Sequence, residues 1–394
     1  MTQLQNLKKQ IGAAYASVYI PGAIIDLPRI RRACAASGLL HVDNAGSDIA
    51  SRMPLDHIAQ LFAYCGGLDL DLRDLPGLGH GRLLTLVTKK SPAQKKLIET
   101  IAGGDGFCAI AITEEQGGSD LHGIACKASA YKNGYRISGK KSFIARLNQA
   151  THVVVFARTG HPYSKNELQA FILSVKQDGI KQTTFSAMGL HGASFGEIHF
   201  NDVFVPQSMC IGLPGSGMDL FARHFTFWRT AMAAAAIGCA RQALKQTLLH
   251  LTGRNAFSGP IGRFTHLQQE LARHTARLHM SWELIIATMR RIENGEEAFI
   301  FAAMAKAEAI ESALEAADWS MRVHGARGYS TLIDIEKRYR DLLGLRIADG
   351  PTDVLRGQVA RSLLGDSIYE ASLGRSRANA REHPSLLSSL LGPD

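Results

Sequence analysis

THVVVFAR, residues 151–158, lies in the zone, from about residue 107, where the pattern of the chain changes. It is a short β-branched run of strand length. YRISGKKSFI (135–144), QAFILSV (169–175) and EIHFNDVFVP (197–206) repeat that character, with turn residues between them. Residues 107–214 therefore read as a middle β-sandwich or barrel domain. On the N-terminal side, residues 1–106 space their apolar positions by three and four, as in LPRIRRACAASGLL (27–40) and LDHIAQLFAYC (55–65), with short Gly and Pro breaks. On the C-terminal side, residues 215–367 are helical and rich in alanine. TAMAAAAIGCARQALKQTLLHL (230–251) and EEAFIFAAMAKAEAIESALEAADWSMRVHG (296–325) are long and low in Gly, and their small residues let helices approach closely. Residues 368–394, with RSRANAREHPS, read as a loose polar tail. The fold class is α+β, in the order helices, strands, helices.

Composition narrows the partners. Apolar residues make up 46% and charged residues 20% of 394, an ordinary globular balance in a chain long enough for a large core. The six cysteines (34, 65, 108, 126, 210, 239) are scattered, with no CxxC and no Cys/His cluster. Neither a metal site nor a disulfide framework is expected, and the cytoplasm is the default setting. MTQLQNLKKQ lacks the apolar core of a signal peptide, and no run of 18 apolar residues occurs, so no membrane span is expected. The net charge of +9 favours anionic partners, but its cations are dispersed without an aromatic-interleaved patch. That speaks against nucleic acid and for an anionic small molecule or an acidic carrier protein.

Several short segments could carry chemistry. RIADGPTDVLRGQVARSLLG (346–365) sets Asp349 in a Gly-Pro interruption between two helical stretches, where an acid alone reads as a cap or a solvated turn residue. TEEQGGSD (113–120) is a Gly turn whose backbone N–H groups and hydroxyls could also meet a polar ligand. Phe143, in GKKSFIAR (139–146), belongs to the core or flanks a planar ring. In RNAFSGPI (254–261), Arg254 and Phe257 stand three apart, on one helical face before a Gly-Pro break. They could hold a phosphate and a base, or be a surface Arg above a core Phe. MRVHGARGYS (321–330) reads as a Gly-rich helix end and EKRYRD (336–341) as a structural charged face.

In their order and spacing these segments resemble the acyl-CoA dehydrogenase family, from about Ile30 to Gly365. TEEQGGSD resembles the family's T-E-P-x-A-G-S-D, and GKKSFIAR its G-x-K-x-[FW]-I-[TS]-N. RNAFSGPI resembles R-x-x-F-G-x-x-I, MRVHGARGY resembles M-Q-x-H-G-G-x-G-Y, and EKRYRD resembles E-R-x-Y-R-D. IADGPTDVLR aligns without a gap to I-Y-E-G-T-S-E-I-Q-R, and FNDVFVP resembles FDDVRVP.

The resemblance implies an N-terminal helical domain, a middle β-domain and a C-terminal four-helix bundle around FAD, in a homodimer or homotetramer. It implies that Ile112, Thr113 and Ser119 face the flavin, with Ser119 also on the substrate side, and that Phe143 packs on the ring. Ala145 would offer its backbone N–H to the flavin, and Arg322 and Gly325 would approach the diphosphate. Arg254 and Phe257 would reach the flavin of a neighbouring subunit. Arg229 would lie on the substrate side, and Asp349 would be the base that removes the α-proton of an acyl thioester. Trp228 closes the alternative, used in some members, of a base just before that Arg. The substrate would be carried on CoA or on an acyl carrier protein. Gln116 gives TEEQGGSD a likeness to the carrier-protein branch of specialised metabolism.

This sequence departs from the family pattern at several positions. Asp349 is one methylene shorter than the family's Glu, Ala145 lacks a hydroxyl, and Arg146 replaces Asn. Arg322 replaces Gln, Thr265 takes the place of another Gln that contacts the cofactor, and Pro351 displaces a Thr that donates to FAD, a cofactor-binding role that could pass to Thr352. These keep two further readings open: a flavin oxidase or monooxygenase on the same fold, and a catalytically silent relative that binds a partner.

Overall fold

The computed structural model describes residues 2–44, 52–160 and 167–365. The tail expected at 368–394 lies outside them. The N-terminal part holds helices α1 (Gln3–Ala16), α2 (Leu27–Cys34), α3 (Leu55–Leu68) and α4 (Pro92–Ala102), with 3-10 turns between them. Capping boxes start two of these helices: Thr2 with Gln5 at α1, and Ser91 with Gln94 at α4, where Pro92 fills the first turn. Arg31 is fully buried on α2 and donates to the carbonyls of Asp74, Leu75, Gly77 and Ile101. One cation thus fixes the irregular segment after α3, which borders the site described below.

The middle part is one sheet of β1 (Cys108–Ala111), β2 (Lys127–Tyr131), β3 (Gly134–Ala145), β4 (His152–Arg158), β5 (Leu168–Ser174), β6 (Ile180–Phe185), β7 (Phe195–Pro206) and β8 (Cys210–Ile211). Their order is β6-β7-β3-β2-β4-β5-β8, with β1 parallel to β4. A single residue pair, Lys127 with Arg158, joins β2 to β4, so the ladder is narrowest there. β4 and β5 are buried along almost their whole length. That is why THVVVFAR reads as a continuous apolar run and not an alternating one. β2 and β6 are mostly exposed and polar, and the sequence pattern did not reveal them.

The C-terminal part is a bundle of α5 (Gly217–Gly253), α6 (Thr265–Glu293), α7 (Phe299–Val323), α9 (Ile335–Ile347) and α10 (Thr352–Leu364), with the short α8 (Ala326–Tyr329) after α7. α3 packs on α5 so closely that a Cβ at Gly238 would lie 1.8 Å from the Ala63 carbonyl oxygen, and one at Gly66 2.0 Å from that of Ala235. Glycine is required at both positions, and the first helical part and the bundle share one core.

One expectation is corrected here. Arg254 and Phe257 do not share a helical face, because α5 ends at Gly253. β9 (Asn255–Ala256) and β10 (Gly259–Pro260) form a tight hairpin, with Phe257 and Ser258 both at positive φ in its turn. Pro260 has no N–H to continue a helix, and the Ile261 N–H closes back on the Arg254 carbonyl.

EKRYRD lies on α9 as expected, and it is half-buried. Lys337 reaches Asp69 at 2.8 Å, Asp71 at 3.4 Å and Asp341 at 2.6 Å, so an ammonium stands among three clustered carboxylates. Among the described residues, no helix is long and apolar enough to cross a membrane.

Candidate active site

Asp349 sits in the turn between α9 and α10, and it caps neither helix. The residue before α10 is Pro351, with no side-chain cap. Asp349 has φ +60° and Gly350 φ +106°, a left-handed pair of residues. The backbone is held from two sides. Arg229 Nε on α5 donates to the Asp349 carbonyl at 2.8 Å, and Lys306 Nζ on α7 donates to the Gly350 carbonyl at 2.6 Å. Thr352 is buried, and its hydroxyl donates to the Arg346 carbonyl, tying the turn to the end of α9.

The Asp349 carboxylate itself accepts no hydrogen bond among the described residues, and the residue is partly buried. Burial pushes its carboxyl above the ordinary range. Lys306, Arg73 and Arg229 pull it down and Asp74 pushes it up, and the net shift is upward. The Arg229 guanidinium is buried near the rings of Phe221, Phe225 and Phe299, which lowers it to about 10, and its Nη1 has no hydrogen-bond partner among the described residues. Trp228, the neighbouring position, is core. It packs against Phe62, His80 and His224.

A second group of residues gathers around the end of β1 and the bulged end of β3. Ile112 is buried, Thr113 half-buried and Ser119 exposed. Their loop is stapled from below: Lys141 is fully buried and bonds Glu114 at 2.8 Å and the Ile112 carbonyl at 2.7 Å. Glu114 also accepts from the N–H groups of Ala125 and Cys126, while Gln116 donates to it. TEEQGGSD is thus a Gly turn, closed by a bridge between Glu114 and Gly117 and anchored by an internal ion pair.

The β3–β7 register slips between Lys141 and Ile144, and Phe143 takes φ +58° in that slip. Its ring is 52% exposed, beside Phe185 and Phe195. The core reading of Phe143 is thereby excluded: an aromatic surface faces outward. Arg146, by contrast, is buried and bonds Asp74 at 2.6 Å. Because Asp349 senses Asp74 and Arg73, the turn carrying Asp349 and the bulged end of β3 border the same segment.

A third group lies elsewhere. Arg254 is exposed at the end of α5, Phe257 is 82% exposed, and Gly325 turns the chain at φ +60° after α7, with open space where a Cβ would be. Arg322 is exposed and paired with Asp318. His250 stacks on His324 at 4.2 Å, which brings the ends of α5 and α7 together. Arg229 and Arg254 are 25 residues apart on or at the end of one helix, about 37 Å along its axis. The third group therefore cannot join the first within one chain.

The residues present suit FAD. Phe143 with its neighbours offers an aromatic face, Thr113 and Ser119 offer hydroxyls beside it, and Arg254, Arg322 and the open Gly325 turn suit a diphosphate. Sequence reasoning missed Lys306, Lys141 with Glu114, and Arg146 with Asp74. Lys306 had a signal: it follows Ala302 and Ala303 and precedes Ala309 and Ile310 on one buried helical face, where a lone cation needs a partner.

Comparison with known proteins gives the family and the fold. Residues 109–203 match the family description "Acyl-CoA dehydrogenase, middle domain", and residues 215–364 match "Acyl-CoA dehydrogenase, C-terminal domain". The chain is 27% identical to glutaryl-CoA dehydrogenase of Desulfococcus multivorans over 292 residues, covering 72% of this chain and 74% of that one. It is 27% identical to L-prolyl-[peptidyl-carrier protein] dehydrogenase of Pseudomonas fluorescens over 272 residues, covering 68% and 72%. The solved FAD complex of PigA has the same fold, with a TM-score of 0.82, 22% identity, and coverage of 92% of this chain and 96% of that one. The chain belongs to the acyl-CoA dehydrogenase family of FAD-dependent oxidoreductases.

Proposed function

We propose that the protein oxidises an acyl thioester between Cα and Cβ, with Asp349 taking the Cα proton. When bound, FAD supplies the acceptor for the hydrogen and electron pair that leave Cβ. The observation that carries this reading is the Asp349 turn: its backbone is clamped, while its carboxylate accepts no hydrogen bond among the described residues. A carboxylate raised by burial is a stronger base than a solvated one, which suits abstraction of a weakly acidic proton. Ile112, Thr113, Ser119, Phe143 and Ala145 would hold the flavin ring, with Ser119 and Arg229 on the substrate side and Thr352 fixing the turn between them.

The relatives named above act, by their names, on a CoA thioester and on a peptidyl-carrier thioester. Either suits a chain of net charge +9. Because Arg254, Phe257, Arg322 and Gly325 stand about 37 Å along α5 from the Asp349 anchor, they would complete the flavin site of a second copy. This favours a homodimer or a tetramer of such dimers. The six buried free cysteines suit a cytoplasmic setting.

The test is an anaerobic titration of the purified yellow protein with one acyl group on CoA and on a carrier protein. Bleaching of the flavin by either supports the reading, and bleaching by neither across a thioester panel overturns it. One observation keeps an oxidase or monooxygenase as a second reading: Ala145, at the end of the bulged β3, offers no hydroxyl. Fast reaction of the reduced flavin with oxygen in stopped flow would favour it.

A further inference from the structure

Lys306 carries the strongest unexplained feature of the molecule. It is 0% exposed, in the middle of an alanine-rich helix, and its hydrogen bond among the described residues goes to the Gly350 carbonyl at 2.6 Å. A buried ammonium is costly unless it is paired, and a neutral apolar residue would fill this helix face without that cost. The bond it makes lies one residue beyond Asp349. The adjacent carbonyl, that of Asp349 itself, is taken by Arg229. Two cations from two different helices therefore hold two successive carbonyls of a turn in which Asp349, a non-glycine residue, takes φ +60°. A Cβ on Gly350 would come within 2.9 Å of Leu355 and 3.2 Å of the Arg229 guanidinium, so a side chain there would crowd both.

We propose that Lys306 is a positioning residue for Asp349: with Arg229 it clamps the turn that presents the carboxylate, and its charge balances the carboxylate once ionised. This rests on Asp349 being the base. The clamp also bears on the short side chain, since a base one methylene short of its substrate depends on a backbone that does not drift.

The charge part follows from the surroundings of Asp349. It is faced by Lys306 from α7, Arg229 from α5, and Arg73 and Asp74 from the segment after α3. Lys306 is the largest of the influences that oppose burial there, ahead of Arg73 and Arg229. Burial lowers Lys306 to about 8, with Asp349 working against that lowering, so at neutral pH it remains mainly an ammonium.

The experiment compares flavin-loaded Lys306→Met and Lys306→Gln with wild type and with Asp349→Asn. Lys306→Met is expected to keep its FAD and lose between about tenfold and a hundredfold in kcat, with KM nearly unchanged. The acid limb of its kcat profile should move to higher pH. Lys306→Gln retains a donor for Gly350 and drops the charge, so it should lose less in kcat while showing the same displaced limb. A wild-type kcat and acid limb in flavin-loaded Lys306→Met would overturn the proposal while leaving the base assignment standing, provided Asp349→Asn no longer bleaches. Should Lys306→Met fail to take up FAD, the Gln variant decides alone: an acid limb at the wild-type position overturns the proposal, and a raised one supports it. Retained bleaching in Asp349→Asn would remove the base and this role together.

Discussion

Arg146 Nε lies 2.6 Å from Asp74 Oδ2, so the residue just after β3 reaches into the segment after α3. The same guanidinium donates to the carbonyls of Gly192 and Asp71 and to Gln149. It stands where the family motif has Asn, and it is buried and committed to protein partners. Burial pushes the Asp74 carboxyl up, but Arg73 and Arg146 outweigh that and hold it at about 2. Arg146→Met leaves this carboxylate partly uncompensated. Removing one partner of a buried pair costs about 3–5 kcal/mol, so the melting temperature should fall by roughly 6–20 °C. In the wild type, the stabilisation from Asp74 is present above its unfolded value of 3.8 and disappears only as pH falls toward about 2. A calorimetric melt of the variant across pH 3–7 checks this. A change below 1 °C would show that the strut contributes nothing.

Lys141→Met tests the staple under the TEEQGGSD loop. Glu114 would keep its two backbone N–H donors but lose the ammonium at 2.8 Å. Burial pushes the Glu114 carboxyl up, and Lys141 with those N–H groups holds it below the ordinary range. Without Lys141, the loop bearing Thr113 and Ser119 should loosen, and FAD content per chain should drop at least severalfold. The ratio of flavin to protein absorbance after gel filtration measures it. A wild-type ratio would separate the staple from the cofactor site.

The sequence made the layered architecture legible because its signals were local. β4 is a valine run, α5 and α7 are alanine-rich at helical spacing, and TEEQGGSD is marked by glycines. Asp349 alone looked like a cap. Only its register with other segments singled it out, and the structure adds that Pro351, not Asp349, precedes α10. The unseen part consists of pairs far apart in sequence. Lys306 meets a carbonyl 44 residues away, Arg146 meets Asp74 across 72 and Arg229 meets Asp349 across 120. Such pairings depend on which helix faces which, and a local pattern does not record that. The Arg254–Phe257 hairpin was misread for a related reason. Their spacing of three fits a helix, and only the bonding of Ile261 back to Arg254 ends it.

Arg254→Ala addresses the second copy. The side chain is exposed and lies about 37 Å along α5 from the Asp349 anchor. Its loss should leave the fold intact, lower FAD occupancy, and weaken subunit association in sedimentation at low protein concentration. Adding excess FAD should restore part of that association, because a ligand bridging two chains stabilises their complex. Unchanged flavin content would take Arg254 out of the cofactor site.

Asp349→Asn should abolish flavin bleaching by thioester while the FAD stays bound, because the amide keeps the shape and cannot take a proton. The same substitution makes a stability prediction of opposite sign. Burial raises the Asp349 carboxyl in the folded protein above its unfolded value of 3.8. The folded state therefore binds that proton more tightly than the unfolded state does. Its stabilising contribution is complete below pH 3.8 and is lost as pH rises through the raised folded value. Once ionised, the wild type carries a carboxylate that its site disfavours, and the neutral Asn does not. The variant should melt at a higher temperature than wild type at pH 7, with the difference shrinking toward pH 4. Thermal melts of both proteins from pH 4 to 8 read this out without any substrate. A variant less stable than wild type throughout would mean that Asp349 holds the turn together, as an ordinary structural acid does, and is not a base kept in reserve against the preference of its surroundings.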